Sequence, residues 1–150
     1  MDCPPGPPAW PWAGTLAEAL PPPERLLLDG ARLWSTAARH GQPPLPAARL
    51  PFITEGAETA LRPLDALMRA VHGALPVGCP LCPQVASPEA VLLLYCALVQ
   101  RGARREALAL LLRHMPPDAT QAALAAAIAL GIAFAQAGLL LRHPLRPAPR

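Results

Sequence analysis

Twenty-two prolines in 150 residues decide where this chain can be helical. Each one fixes φ, removes an N–H and biases its predecessor away from helix. Up to about Pro51 they come so often (Pro4–Pro5, Pro7–Pro8, Pro11, Pro21–Pro23, Pro43–Pro44, Pro46, Pro51) that only short helices fit between them. Thr15-Leu-Ala-Glu18 has capping-box spacing and predicts one or two turns. Glu24 to about Arg39 predicts a longer helix, with Leu26, Leu27, Leu33, Trp34, Ala37 and Ala38 on one face. Residues 41–51 read as extended chain or loop. The apolar residues are mostly Leu and Ala, the best helix formers, and only 4% of the chain is aromatic, so helix is favoured over sheet.

Beyond Pro51 the helical windows open. Ala57, Ala60, Leu61, Leu64, Leu67, Met68, Val71 and Leu75 recur at three- and four-residue steps and predict a helix over 57–75 with one buried stripe. Pro63 requires that helix either to begin near Arg62 or to kink. Val77-Gly-Cys-Pro-Leu-Cys-Pro83 cannot be helical and reads as a loop. Ser87 then has the character of an N-cap, with Pro88 in the first helical position and Glu89 against the positive end of the dipole. Gly102 ends that helix. A second runs from about Arg104 to His114, halted by Pro116–Pro117, and a third is capped by Asp118 with Gln121 and ends near Gly138. The expected fold is all-α, about five helices in antiparallel hairpins. A Pro-rich segment over 1–51 precedes a helical domain over 52–141 and a basic Pro-rich tail over 142–150.

Charge and reactive groups exclude several functions. All thirteen basic residues are Arg, and a net charge of +3 is too mild for the dense basic face that nucleic acid requires. Cys3, Cys79, Cys82 and Cys96 form no disulfide framework in a chain of this size. The start Met-Asp-Cys-Pro-Pro-Gly-Pro-Pro lacks the basic and apolar character of a secretory signal, so a cytoplasmic location is the expectation. No Ser/His/Asp set, carboxylate pair or phosphate-cradling Gly loop stands out, so neither an enzyme nor a cofactor is expected.

Residues 87–118, from Ser87-Pro-Glu-Ala-Val to His-Met-Pro-Pro-Asp118, together with Ala127-Ile-Ala-Leu-Gly-Ile-Ala-Phe-Ala-Gln-Ala-Gly138, resemble the helix-turn-helix of a tetratricopeptide repeat. Val91, Leu94, Leu98, Gly102, Ala107 and Leu111 occupy the packing positions of the first copy. Leu130, Gly131, Phe134 and Gly138 occupy those of the second, offset by 36 residues. Tyr95 and His114 stand where the family prefers small residues, and the second helix of the last repeat is truncated. The resemblance covers about 87–138 and extends to the small helical-repeat chaperones of secretion systems.

That resemblance implies a concave groove lined by Glu89, Leu92, Cys96, Val99, Gln100, Ala125, Ile128, Ile132, Ala135 and Gln136. Leu92, Cys96, Val99, Gln100, Ile128, Ile132 and Gln136 are its candidate partner-binding residues. Left open, it would be an apolar patch of the kind that marks a binding face, and an amphipathic helix or apolar peptide would be its ligand. Alternatively, the protein's own helix over 57–75 fills it. The expected function is therefore a non-enzymatic adaptor or chaperone for a protein partner.

Two weaker signals remain. Cys79-Pro-Leu-Cys82 has the spacing of half a tetrahedral zinc site, or of a redox pair without its usual βαβ setting. Residues 119–141 carry no charge and are long enough to span a bilayer, but Ala supplies little transfer energy there, and the repeat reading accounts for Gly131 and Gly138. Arg101, Arg104 and Arg105 read as a solvated basic corner, and Trp34 as a packing residue.

Overall fold

The computed structural model describes residues 12–142; Cys3, Trp10, His143, Arg146 and Arg150 lie outside the described residues. Six α-helices form within them, and no strand: α1 Pro22–Arg39, α2 Pro44–Thr54, α3 Leu61–Val71, α4 Ser87–Gln100, α5 Arg104–Leu112 and α6 Pro117–Gln136. Single 3₁₀ turns occupy Ala17–Ala19 and Glu58–Ala60, and one isolated β-bridge joins Leu16 to Gln84.

The prolines allow more helix than their number suggests. Helix α1 begins at Pro22, and α2 begins at Pro44 inside the stretch read as loop. The first turn of a helix has N–H groups with no intrahelical acceptor, so Pro22, Pro23, Pro44 and Pro46 remove nothing that the helix uses. Pro51 does fall inside α2, and the helix ends three residues later at Thr54. The boundary drawn between residues 51 and 52 therefore falls within a helix. Helices α1 and α2 share one core with the remaining helices, and α1 packs on α2, α3 and α4.

Every residue of the 57–75 stripe is buried, although the α-helix itself spans only Leu61–Val71, with Pro63 in its first turn. The stripe lies on α6, which also receives α4 and α5 and so forms the pivot of the fold. By length and composition α6 could cross a membrane. Here its inner face, including Ala123, Ala127, Leu130 and Phe134, is committed to core packing. Trp34 is buried as expected and ties α1 to α3 through a 2.8 Å hydrogen bond from its Nε1 to Asp65 Oδ1.

The α4–α5 hairpin turns at Gly102, whose φ of 82° suits a residue without a Cβ. There the Ala103 N–H reaches back to Leu98 O and that of Gly102 to Val99 O, closing a Schellman motif. The start of α4 lies one residue earlier than expected: Ala86 is the N-cap and Ser87 the first helical residue. Glu89 supplies half of a capping box by accepting the Ala86 N–H at 2.8 Å. Similarly, α6 begins at Pro117, so Asp118 lies inside the helix rather than capping it.

After α6 the chain returns across α4. Gln100 Nε2 donates to Gly131 O and Leu139 O, and its Oε1 accepts the Leu141 N–H at 2.7 Å. Arg101 donates to Leu141 O, so it anchors this returning segment as well as sitting at the hairpin corner. The segment then reaches α1, where the Arg142 N–H donates to Glu24 Oε1 at 2.7 Å.

Glu24 is buried, and its Oε2 has no partner. Burial raises its pKa above the ordinary 4.5, a shift that the Arg142 N–H and the charges of Arg142 and Arg101 only partly offset. The folded state thus holds this proton more tightly than the unfolded chain. The associated stability is full below the ordinary carboxylate value and is lost as pH rises through the folded value. Glu24→Gln keeps the acceptor for Arg142 and removes the charge. It should raise the melting temperature at neutral pH and leave it nearly unchanged in acid, as thermal melts at the two pH values would show.

Candidate functional site

The groove implied by the repeat resemblance does not form as an open surface. Leu92, Cys96 and Val99 are buried on α4, with Leu92 at 1% exposure, because α4 is enclosed by α1, α5 and α6. Glu89 is buried as well, and burial pushes the Cys96 thiol up to about 12. Gln100 and Ile128 are half-buried, and Gln100 is occupied with the returning segment after α6. Ile132, at 55% exposure, faces solvent together with Gln136, Ala125 and Ala135, all on α6. The correction has a simple cause. Sequence periodicity marks which side of a helix is apolar, and here both sides of α4 are apolar and both are covered. Tyr95, at the position where the repeat family prefers a small residue, is fully buried.

Cys79 and Cys82 are brought together by a tight turn. The Cys82 N–H donates to Cys79 O at 3.1 Å, and the two Sγ atoms are 3.2 Å apart. Cys79 is exposed and Cys82 half-buried. Leu81 at the tip is 90% exposed. Beside the turn lies a cleft of about 300 Å³ lined by Leu16, Ala17, Glu18, Arg25, Pro80, Leu81, Cys82 and Pro83. The Cys79 thiol is held below its ordinary value. The hydrogen bond from Cys82 is the main cause, followed by the N–H groups of Leu81 and Cys82, with the Arg32 charge adding to them.

A buried ion pair holds this turn from beneath. Arg32 on α1 and Glu89 on α4 are almost wholly excluded from water and meet side-on, with Nε to Oε2 at 2.7 Å and Nη2 to Oε1 at 2.9 Å. Arg32 then grips the far side of the turn, donating from Nη1 to Cys82 O at 2.8 Å and from Nη2 to Gln84 O at 2.9 Å. Glu89 grips the near side by accepting the Gly78 N–H at 3.1 Å. The pair therefore clamps both ends of the thiol turn and joins it to two helices. Charge-assisted, side-on geometry of this kind fixes orientation as well as distance.

No family model, curated protein or solved structure matches this chain.

Sequence reasoning identified Cys79 and Cys82 but missed Arg32, and placed Glu89 at the helix dipole and in the implied groove rather than in a buried ion pair. Spacing gave no signal for Arg32: of its helical neighbours three and four residues away, Leu28 is apolar but Asp29, Ser35 and Thr36 are polar. Its partner lies 57 residues away and could not be named from spacing. Among the described residues, no third Cys, His, Asp or Glu joins the two thiols in a cluster.

Proposed function

We propose that this protein is a small helical scaffold for a reversible dithiol–disulfide centre at Cys79 and Cys82. The observation that carries this reading is the 3.2 Å approach of an exposed thiol and a half-buried one in a clamped turn. The asymmetry assigns the roles. The Cys79 thiolate attacks the disulfide of a small molecule or a protein, forming a mixed disulfide and releasing one thiolate. Cys82, after losing its proton, attacks the Cys79 sulfur, closes the internal disulfide and releases the second thiolate. Two thiols are oxidised and one external disulfide is reduced to two thiols, so electrons and protons balance.

The test is equilibration of the reduced protein with glutathione redox couples, then acid quench, alkylation and mass mapping. One internal Cys79–Cys82 disulfide should form, while Cys96 stays reduced in the core. Cys82→Ser should instead accumulate glutathione on Cys79. A wild-type chain whose pair remains reduced across oxidising couples would overturn the reading.

A second reading keeps the adaptor role and moves it to the outside of α6. Ala122, Ala125, Ala129, Ile132 and Gln136 are exposed there at helical spacing, without a charge among them. An amphipathic helix is the ligand this face would suit. Ile132→Arg should change stability by no more than about 0.5 kcal/mol, the usual range for surface positions, and should abolish capture of such a helix. Denaturant unfolding and pull-down of bound protein check the two halves. Loss of fold, or capture that persists, would remove this reading.

A further inference from the structure

We infer that, in its reduced form, the Cys79/Cys82 turn is half of a tetrathiolate site for a thiophilic divalent cation, completed by the same turn of a second copy of this chain. The inference rests on these thiols being the working part of the protein, as proposed above, and adds a ligand and a partner.

Tetrahedral coordination at a Zn–S length of about 2.3 Å places two sulfurs about 3.8 Å apart. A disulfide needs about 2.0 Å. The observed 3.2 Å lies between them, so small χ1 rotations reach either state and the backbone turn serves both.

The groups behind the ligands are also in place. Sites that bind metal well fix their ligands through hydrogen bonds one layer out. Here Arg32 holds the Cys82 and Gln84 carbonyls, and Glu89 holds the Gly78 N–H. A side chain at Gly78 would lie within 3.3 Å of Cys82 Sγ, so glycine leaves the sulfur free to move.

Two thiolates supply half of a closed tetrahedral site, and the described residues bring no third ligand to them. The shape around the turn points to a second copy as the source of the rest. Leu81 projects from the tip at 90% exposure, and the adjoining cleft sets the apolar walls of Leu16, Ala17 and Pro83 beside the charged side chains of Glu18 and Arg25. A projection and an adjoining recess on one patch are self-complementary under a two-fold axis, where each Leu81 enters the other copy's cleft. Such pairing also brings the two thiol turns face to face. Disulfide closure and metal binding use the same sulfurs, so oxidation would release the ion and separate the copies.

The experiment takes the full chain, reduced and stripped of metal, and titrates it with Zn²⁺ and, as an absorbing probe, Co²⁺. Metal content and sedimentation are measured on the same samples. The expected result is about half an equivalent of metal per chain, in step with conversion of monomer to dimer. Cys79→Ser and Cys82→Ser should abolish both. Leu81→Asp, at an exposed position that leaves the fold intact, should weaken the dimer at least tenfold and raise the metal concentration needed to fill the site. One ion per monomer, or no thiolate-to-cobalt absorption, would overturn the inference. The glutathione experiment, run with a chelator present, separates the two ideas. A chain that forms the internal disulfide but takes up no metal defeats only the metal site, and one that does neither defeats both.

Discussion

Glu89→Leu should lower the unfolding free energy by about 3–5 kcal/mol, the range for removing one partner of a buried ion pair. The substitution leaves the Arg32 guanidinium in the core without its counter-charge. It also strips the acceptor from the Gly78 and Ala86 N–H groups. Each orphaned buried donor adds to the loss. Denaturant unfolding monitored by circular dichroism would measure it. Arg32→Met/Glu89→Leu should recover part of the deficit, because no charge then remains buried. It should not recover all of it, since Cys82 O and Gln84 O lose their donor as well.

The same pair sets an acid limit on the fold. Desolvation pushes the Glu89 carboxyl up, but the Arg32 hydrogen bond, the Ala86 and Gly78 N–H groups and the Arg32 charge together hold it below its ordinary 4.5. Its stabilisation is therefore present above that value and is lost as pH falls through the folded value. This is opposite in sign to Glu24, whose burial is not matched by a buried cation. Stability of Glu89→Leu should accordingly fall less on acidification than that of the wild type. An equal fall would show that the pair contributes nothing to acid sensitivity.

Gly30→Ala should cost about 1–3 kcal/mol, against the propensity gain of about 1 kcal/mol that the exchange brings in an exposed helix. The reason is the crossing of α1 over α2. A Cβ at Gly30 would overlap the Phe52 ring and stand 3.0 Å from Leu64 Cδ2. Phe52 has no free direction in which to retreat, being fully buried with its ring 6.2 Å from that of Phe134. On a Phe52→Leu background the same substitution should cost less, and the difference measures the contact directly. A strictly additive double mutant would contradict the close approach.

These positions show what kind of information the sequence holds. The stripe Ala57 to Leu75 was legible in full, because its spacing alone states which residues share a face. Gly102 and Gly138 were legible as helix ends, since few other residues take the left-handed conformation found at both. Helix α2 was not legible. Its prolines read as breakers until their position in the first turn is known, and that position depends on where the helix packs. The thiol turn was visible as a spacing, yet Cys79-Pro-Leu-Cys82 says nothing of Arg32 lying behind it. The apolar groove failed for a related reason: an apolar face announces that something covers it and is silent about what does.

By itself the sequence determined that this chain is all-helical, where α1, α3 and the α4–α5 hairpin lie, and which thiols stand close along the chain. These are consequences of local physics, acting over one helical turn or one β-turn. Only the tertiary structure decided that α3 lies on α6, that α1 covers α4, and that Arg32 and Glu89 meet 57 residues apart beneath the thiol turn. Those choices depend on which surfaces exclude water together. The closing of the presumed groove and the clamping of the Cys79/Cys82 turn both follow from that shared burial.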